Sequence, residues 1–167
     1  MRVLGVDCGS EATGFGVVES DGRRHRALES GTILLRRAAG ATFAERLHVI
    51  HTRLSELIAE HRPAWVAIED VFYARNVRSV VKLAHVRGVA MQAAAAQGIA
   101  VAEYTPLAVK SAVTGYGRAE KTQVQHMVRI LLALEQAPNS LDASDALAVA
   151  LCHLHNIGVE ACAAAGA

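Results

Sequence analysis

The sequence predicts an α/β protein built on one five-stranded mixed sheet covered by helices, and three observations predict it. Short apolar runs separated by turn residues fill the first 35 or so positions. Apolar residues then recur at helical spacing from Phe43 onward. Beyond that helix, strand-like and helical stretches alternate, which is the pattern of parallel strands joined by helical crossovers.

Val3 to Asp7 reads as a buried strand, followed by a Gly-rich turn and by Gly14 to Ser20, where Phe15, Val17 and Val18 favour extended structure. Asp21-Gly22 is a hairpin signal, and a third strand over about His25 to Leu35 completes an antiparallel meander. Thr42 and Glu45 form a capping box for a helix with Leu47, Ile50, Leu54, Leu57 and Ile58 on one face, ended by Pro63. Trp65-Val66-Ala67-Ile68 is a parallel-strand run that delivers Glu69 at its carboxyl end. An Ala-rich helix over about Val77 to Gln97 closes on Gly98, and Ile99 to Tyr104 supplies a fifth strand. Pro106 opens a helix to Thr114, Gly115-Tyr116-Gly117 breaks it, and a second helical run extends from Ala119 to about Leu134. The last helix starts after Pro138, with Asn139 as the expected N-cap and Leu147, Leu151 and Leu154 on its buried face. Three strands, helix, strand, helix, strand and then helices is an order that suits a ribonuclease H-like fold. One domain is expected over residues 1–157, with 158–167 a small, featureless and flexible tail.

With 52% hydrophobic and 20% charged residues, the chain has apolar surface enough to offset the entropy of folding, which excludes wholesale disorder. No apolar stretch approaches the roughly 18 residues of a membrane span, and an acid follows too soon after the start for a signal peptide, so a cytoplasmic protein is expected. Cys8, Cys152 and Cys162 are odd in number and lack paired metal-ligand spacing, which argues against a disulfide framework and a zinc site. The formal net charge is +1, but it is unevenly spread. Between Phe72 and Leu132 stand Arg75, Arg78, Lys82, Arg87, Lys110, Arg118, Lys121 and Arg129 against only Glu103 and Glu120. That segregation fits a phosphate-binding face, and equally a solvated helix face.

Asp7, Glu69, Asp142 and Asp145 occupy positions where a carboxylate is costly without compensation. Asp7 and Glu69 each end an apolar strand, and open sheets bind ligands at such ends. Asp142 and Asp145 are three apart on the first turn of the last helix, hence on one face. Each has an ordinary reading by itself: Asp142 as a favourable charge at a helix start, Asp7 as a cap on the turn, Glu69 as a partner of Arg62 or Arg75. If the last helix packs over the first strand, all four acids meet, and a carboxylate cluster without His or Cys suits Mg2+, with Mn2+ as a substitute. Two such ions roughly 4 Å apart serve phosphodiester hydrolysis, with Asp7 the candidate bridging ligand and Lys121 a candidate for transition-state charge.

Phe72 and Tyr73 stand together in a basic stretch that continues with Arg75 and Arg78. Core packing is the usual fate of Phe, whereas an exposed aromatic here would stack on an unpaired base. The helix from Val77 carries Val80, Val81, Leu83, Ala84, Val86, Val89, Ala90 and Met91 around much of its circumference. Either the core buries it entirely or a two-fold partner covers the remainder.

These residues resemble a family. Gly5-Val6-Asp7-Cys8-Gly9-Ser10 with Thr13-Gly14-Phe15-Gly16-Val17, Ala67-Ile68-Glu69-Asp70-Val71-Phe72 and Arg87-Gly88-Val89-Ala90 are similar to blocks of the RuvC Holliday junction resolvases. The runs from Ala119 to Val128 and from Leu141 to Ala148 resemble that family's basic helix and closing acidic helix. The resemblance, over about residues 2 to 155, implies a ribonuclease H-like homodimer that makes paired nicks in strands of like polarity at a four-way DNA junction. It places metal-binding acids at Asp7, Glu69, Asp142 and Asp145, DNA-contacting lysines at Lys110 and Lys121, and a junction-probing aromatic at Phe72. RuvA and RuvB are the implied partner proteins. Pro is common in the family where Cys8 stands, so a less rigid turn is expected after Asp7.

Two other readings compete. The turn after Asp7 also suits the phosphate loop of actin-like sugar kinases, but such enzymes need two copies of the sheet and a second Asp-Gly-Gly loop, and 167 residues hold neither. A non-catalytic junction-binding module would need the basic face and not the four acids.

Overall fold

A computed structural model describes residues 1–35, 40–70 and 77–165, with side chains up to residue 158. Five strands, β1 (Arg2–Asp7), β2 (Ala12–Ser20), β3 (His25–Leu34), β4 (Trp65–Glu69) and β5 (Ala100–Tyr104), form one sheet in the order β3-β2-β1-β4-β5. β1 pairs antiparallel with β2 and parallel with β4, and β4 pairs parallel with β5, the mixed ribonuclease H-like arrangement the sequence predicts. Helices α1 (Phe43–His61) and α2 (Val77–Ala95) lie against one face, while α3 (Pro106–Thr114), α4 (Lys121–Leu131) and α5 (Leu141–Ala165) lie against the other. Among the described residues, no helix is long and apolar enough to cross a membrane.

Strand alternation divides the core in two. Leu4, Val6, Val66 and Ile68 pack with Ile50, Leu54 and Val86 under α1 and α2. Val3, Ala67 and Trp65 face Leu147, Leu151 and Val109 under the other three helices. The capping box forms as expected, with Thr42 N–H donating to Glu45 at 2.6 Å and Glu45 N–H donating to Thr42 Oγ1 at 3.3 Å. α1 ends one residue before Pro63 on a left-handed Arg62, φ 46°, whose N–H returns to the Ile58 carbonyl.

α5 sits unusually close to the sheet, and glycines inside the strands permit it. Gly5 and Gly16 are cross-strand partners and Gly14 lies opposite Asp7, so these positions share the face on which α5 rests. A Cβ on Gly5 would stand 2.0 Å from the Ala146 carbonyl oxygen, and one on Gly14 would stand 2.0 Å from that of Asp142. A Cβ on Gly16 would meet the Leu147 side chain at 2.7 Å. Gly inside a strand weakens it, and close backbone approach is the compensating gain.

Four boundaries differ from expectation. The N-cap of α5 is Ser140, not Asn139: Ser140 Oγ accepts the Ala143 N–H at 3.0 Å and shares a 2.6 Å hydrogen bond with Thr32 of β3. Asp145 therefore falls in the second turn of α5, and only Asp142 in the first. α4 is shorter at both ends than Ala119–Leu134, because Glu120 caps it and Ala133 turns left-handed at φ 49°. α5 continues through 158–165, so the backbone expected to be a featureless tail is helical there. α2 is neither wholly buried nor wholly apolar in its packing: Val86 and Ala90 are buried, whereas Val77 and Val81 are 77% and 48% exposed.

Gly5→Ala is expected to destabilise the protein by about 2 kcal/mol or more, since backbone rather than a flexible side chain must yield. A urea midpoint equal to the wild type would show that α5 has room to move.

Candidate active site

The strand parity that builds the second core also aims the acids. Asp7 continues the Val3, Gly5 series and Glu69 continues the Trp65, Ala67 series, so both carboxylates leave neighbouring parallel strands on the α5 side. The glycine trough then sets the first turn of α5 over β2 opposite Asp7, which brings Asp142 within electrostatic reach of it. One further turn along α5, Asp145 acts on both Asp7 and Glu69. α4 adds a cation: Lys121 Nζ donates to Asp145 Oδ2 at 2.6 Å. The structure thus draws Asp7, Glu69, Asp142, Asp145 and Lys121 together from four elements and three widely separated parts of the chain.

Repulsion dominates this cluster. Burial first, then the charges of Asp145 and Asp142, push the Asp7 carboxyl up to about 6, against the pull of Lys121. Burial and the charges of Asp7 and Asp145 push Glu69 up to about 7, and a hydrogen bond shared with Asp7 adds to the rise. Burial alone would lower the Lys121 ammonium, but its bond to Asp145 and the charges of Asp145, Asp7 and Glu69 outweigh that and raise it. Cys8 takes no part as a thiolate ligand, because burial, then the charge of Asp7, pushes its thiol up to about 12. The donor set is therefore oxygen only, and a hard cation would compete with protons for Asp7 and Glu69, whose carboxyls are raised.

A tighter group of ligand-type side chains lies elsewhere. The donor atoms of Glu29, Glu60 and His61 all fall within 4.8 Å of one another, but Arg53 already holds one Glu29 oxygen at 2.6 Å and His61 the other at 2.8 Å. The four predicted acids are spread more widely than that.

The expected DNA-contacting residues fare unequally. Phe72, Tyr73 and Arg75 lie outside the described residues. Arg78 and Lys82 are exposed on the first turns of α2, Lys110 is half-buried on α3 and Arg118 is exposed before α4. Arg87 does not belong to a free basic face. Asp70, one residue past Glu69, points to the opposite side of the sheet, where Arg87 takes it at 3.1 Å and also pairs with Glu103 of β5. Ser140, Thr32 and the strand glycines were not foreseen as parts of the site. Three glycines within two short strands were the available signal for a close backbone approach.

The raised carboxyls predict a pH dependence. Unfolded carboxyls lose their protons near pH 4 and the folded ones only near 6 to 7, so in chelator the site's contribution to stability falls as pH rises through that window. Asp7→Asn removes one repelling charge, so its melting temperature should exceed the wild type's at pH 8 and match it near pH 4. A gain of equal size at both pH values would contradict the repulsion.

Comparisons with known proteins bear on the chain's family and fold. The family pattern of crossover junction endodeoxyribonuclease RuvC matches residues 3–153. A protein of that name from Koribacter versatilis is 57% identical over 156 residues, 93% of each chain. Another, from Halorhodospira halophila, is 53% identical over 155 residues, 93% of this chain and 90% of its own. The structure of Thermus thermophilus RuvC superposes with a TM-score of 0.87 at 34% identity, over 96% of this chain and 97% of that one. T. thermophilus RuvC in complex with Holliday junction substrate gives 0.86 at 32% identity, over 95% and 96%. Sequence and fold match across nearly the whole chain, and the chain belongs to the RuvC family of crossover junction endodeoxyribonucleases.

Proposed function

We propose that this chain is a structure-selective endonuclease that resolves Holliday junctions in recombination and repair, nicking two strands of like polarity symmetrically. The observation that carries the reading is the convergence of Asp7 and Glu69 with Asp145 and Lys121 at the carboxyl ends of β1 and β4. Family membership, and a T. thermophilus relative whose structure is described with Holliday junction substrate, support the same substrate for this chain.

Asp7, Glu69, Asp142 and Asp145 would hold two Mg2+ ions, with Mn2+ as a substitute. Spread-out carboxylates suit a pair of ions better than a single coordination sphere. When bound, such a pair supplies an activated water and charge stabilisation for the leaving oxygen. Asp7, hydrogen-bonded to Glu69 and within electrostatic reach of Asp142 and Asp145, would be the ligand that the two ions share. A cation held by Asp7 and Glu69 would compete with the proton that this pair shares. Lys121 orients Asp145 and has two remaining N–H bonds, enough to meet a phosphate oxygen. Phe72 and Tyr73 would stack at the opened crossover, with Arg75, Arg78, Lys82, Lys110 and Arg118 on phosphates.

Paired nicks need paired sites. Val77 and Val81 on α2 are exposed apolar residues on a helix whose other face is in the core, and a second copy across a two-fold axis would cover them. A nuclease domain over 1–157, acting in the cytoplasm with RuvA and RuvB, completes the reading.

The decisive experiment incubates the protein with an end-labelled synthetic four-way junction in Mg2+ or chelator and maps incisions on all strands. Asp7→Asn should bind the junction in Ca2+ like the wild type and cut in Mg2+ roughly a hundred- to a thousandfold more slowly. Undiminished cutting would mean the acids were wrongly assigned. In sedimentation at micromolar concentration the protein should run as a dimer and Val81→Glu as a monomer, and a monomeric wild type would remove α2 from any interface.

A further inference from the structure

We propose that Tyr116 and Leu107 form an apolar ridge that seats against the deoxyribose edge of one duplex arm of the substrate, between phosphate-binding cations at Lys110 and Arg118. The proposal rests on the reading of the chain as a junction nuclease.

Tyr116 and Leu107 are 60% and 61% exposed. Their exposure is not that of a loose loop. Gly115 caps α3 in the left-handed region at φ 76°, with its N–H returned to the Ser111 carbonyl. Thr114 Oγ1 accepts the Tyr116 N–H at 3.1 Å and reaches the carbonyls of Lys110 at 2.9 Å and Tyr116 at 3.0 Å. The Tyr116 carbonyl accepts the Ala119 N–H at 3.1 Å. Gly117 packs so closely on α3 that a Cβ there would stand 2.8 Å from Leu107 Cγ. The backbone is thus held on both sides of a ring that stands in water.

A large aromatic on a stiff backbone with an apolar neighbour is the composition of a contact surface. Shallow clefts flank it, about 400 Å³ between Tyr116 and Met127 and about 470 Å³ between Leu107, Lys110 and Gly117. Charge names the occupant. From Thr105 to Lys121 the chain carries Lys110, Arg118 and Lys121 against the single acid Glu120, so the ridge lies in a stretch of net positive charge that suits a polyanion. The strip is continuous with the active site, since α4 begins four residues after Gly117 with Lys121, which touches Asp145. A duplex arm lying across the strip meets cations through its phosphates and the ridge through its sugars.

The two kinds of contact respond differently to salt, because only phosphate contacts release counterions. Junction binding by the full chain is measured by fluorescence anisotropy in Ca2+ over a range of KCl concentrations, with a linear duplex of equal length as control. Tyr116→Ala should weaken junction binding about tenfold with an unchanged salt slope, and Tyr116→Phe should bind like the wild type. Lys110→Ala and Arg118→Ala should each lower the slope by about one. Thermal unfolding of Tyr116→Ala should stay close to that of the wild type, as most of the ring is exposed.

Junction affinity of Tyr116→Ala within twofold of the wild type, or a loss that disappears with rising salt, would overturn the proposal and turn attention to a protein partner for the ridge. If the wild type prefers no junction over duplex, the junction reading itself fails, and the ridge proposal fails with it. A wild type that prefers the junction, together with a Tyr116→Ala affinity within twofold of it, sinks only the ridge.

Discussion

The close seating of α5 on β1 and β2 is the constraint from which the rest follows. Gly5, Gly14 and Gly16 remove the side chains that would hold the helix off the sheet, and the approach is backbone to backbone at Asp142 and Ala146. A helix held at ordinary distance would leave Asp142 and Asp145 short of the strand ends. The Thr32–Ser140 hydrogen bond fixes the start of the same helix against β3, so the direction of approach is fixed as well as the distance. Packing and chemistry are one arrangement here: the apolar face of α5 fills the second core while its first two turns deliver acids to the rim.

That arrangement opposes stability at the rim. Carboxyls from two parallel strands and a helix meet in partial burial, and two of them are pushed toward neutrality. Lys121 offsets part of the repulsion through Asp145, and the apolar layers on both faces of the sheet supply the rest. A cluster that is electrostatically unfavourable by itself, oxygen-only, and open at strand ends is what a hard-cation site looks like before the cation's own charge is counted.

Charge on the other side of the sheet is handled differently. Asp70 and Glu103 would add two more negative charges beside the strand ends, and Arg87 takes both. The acids that count toward the site are those of one parity, and those of the other are neutralised. This leaves Lys110 and Arg118, near α3 and α4, on the side of the sheet where Asp7 and Glu69 point.

Much of this was legible in the sequence. Strand and helix order followed from periodicity, the α1 capping box from Thr42 and Glu45, and the candidate acids from two strand ends and the start of the last helix, because these depend on near neighbours along the chain. The N-cap at Ser140, the left turn at Ala133 that shortens α4, and the continuation of α5 were misjudged, since local propensity is overridden by a partner such as Thr32 that is distant in sequence. Likewise no local pattern says that Arg87 is consumed by Asp70 and Glu103, that Lys121 lands on Asp145, or that Tyr116 stands clear of the core. By itself the sequence determined the order of the elements and where along them the four acids stand. Only the tertiary structure decided which charges meet and which cancel, because electrostatic interaction falls with distance through space and has no regard for separation along the chain.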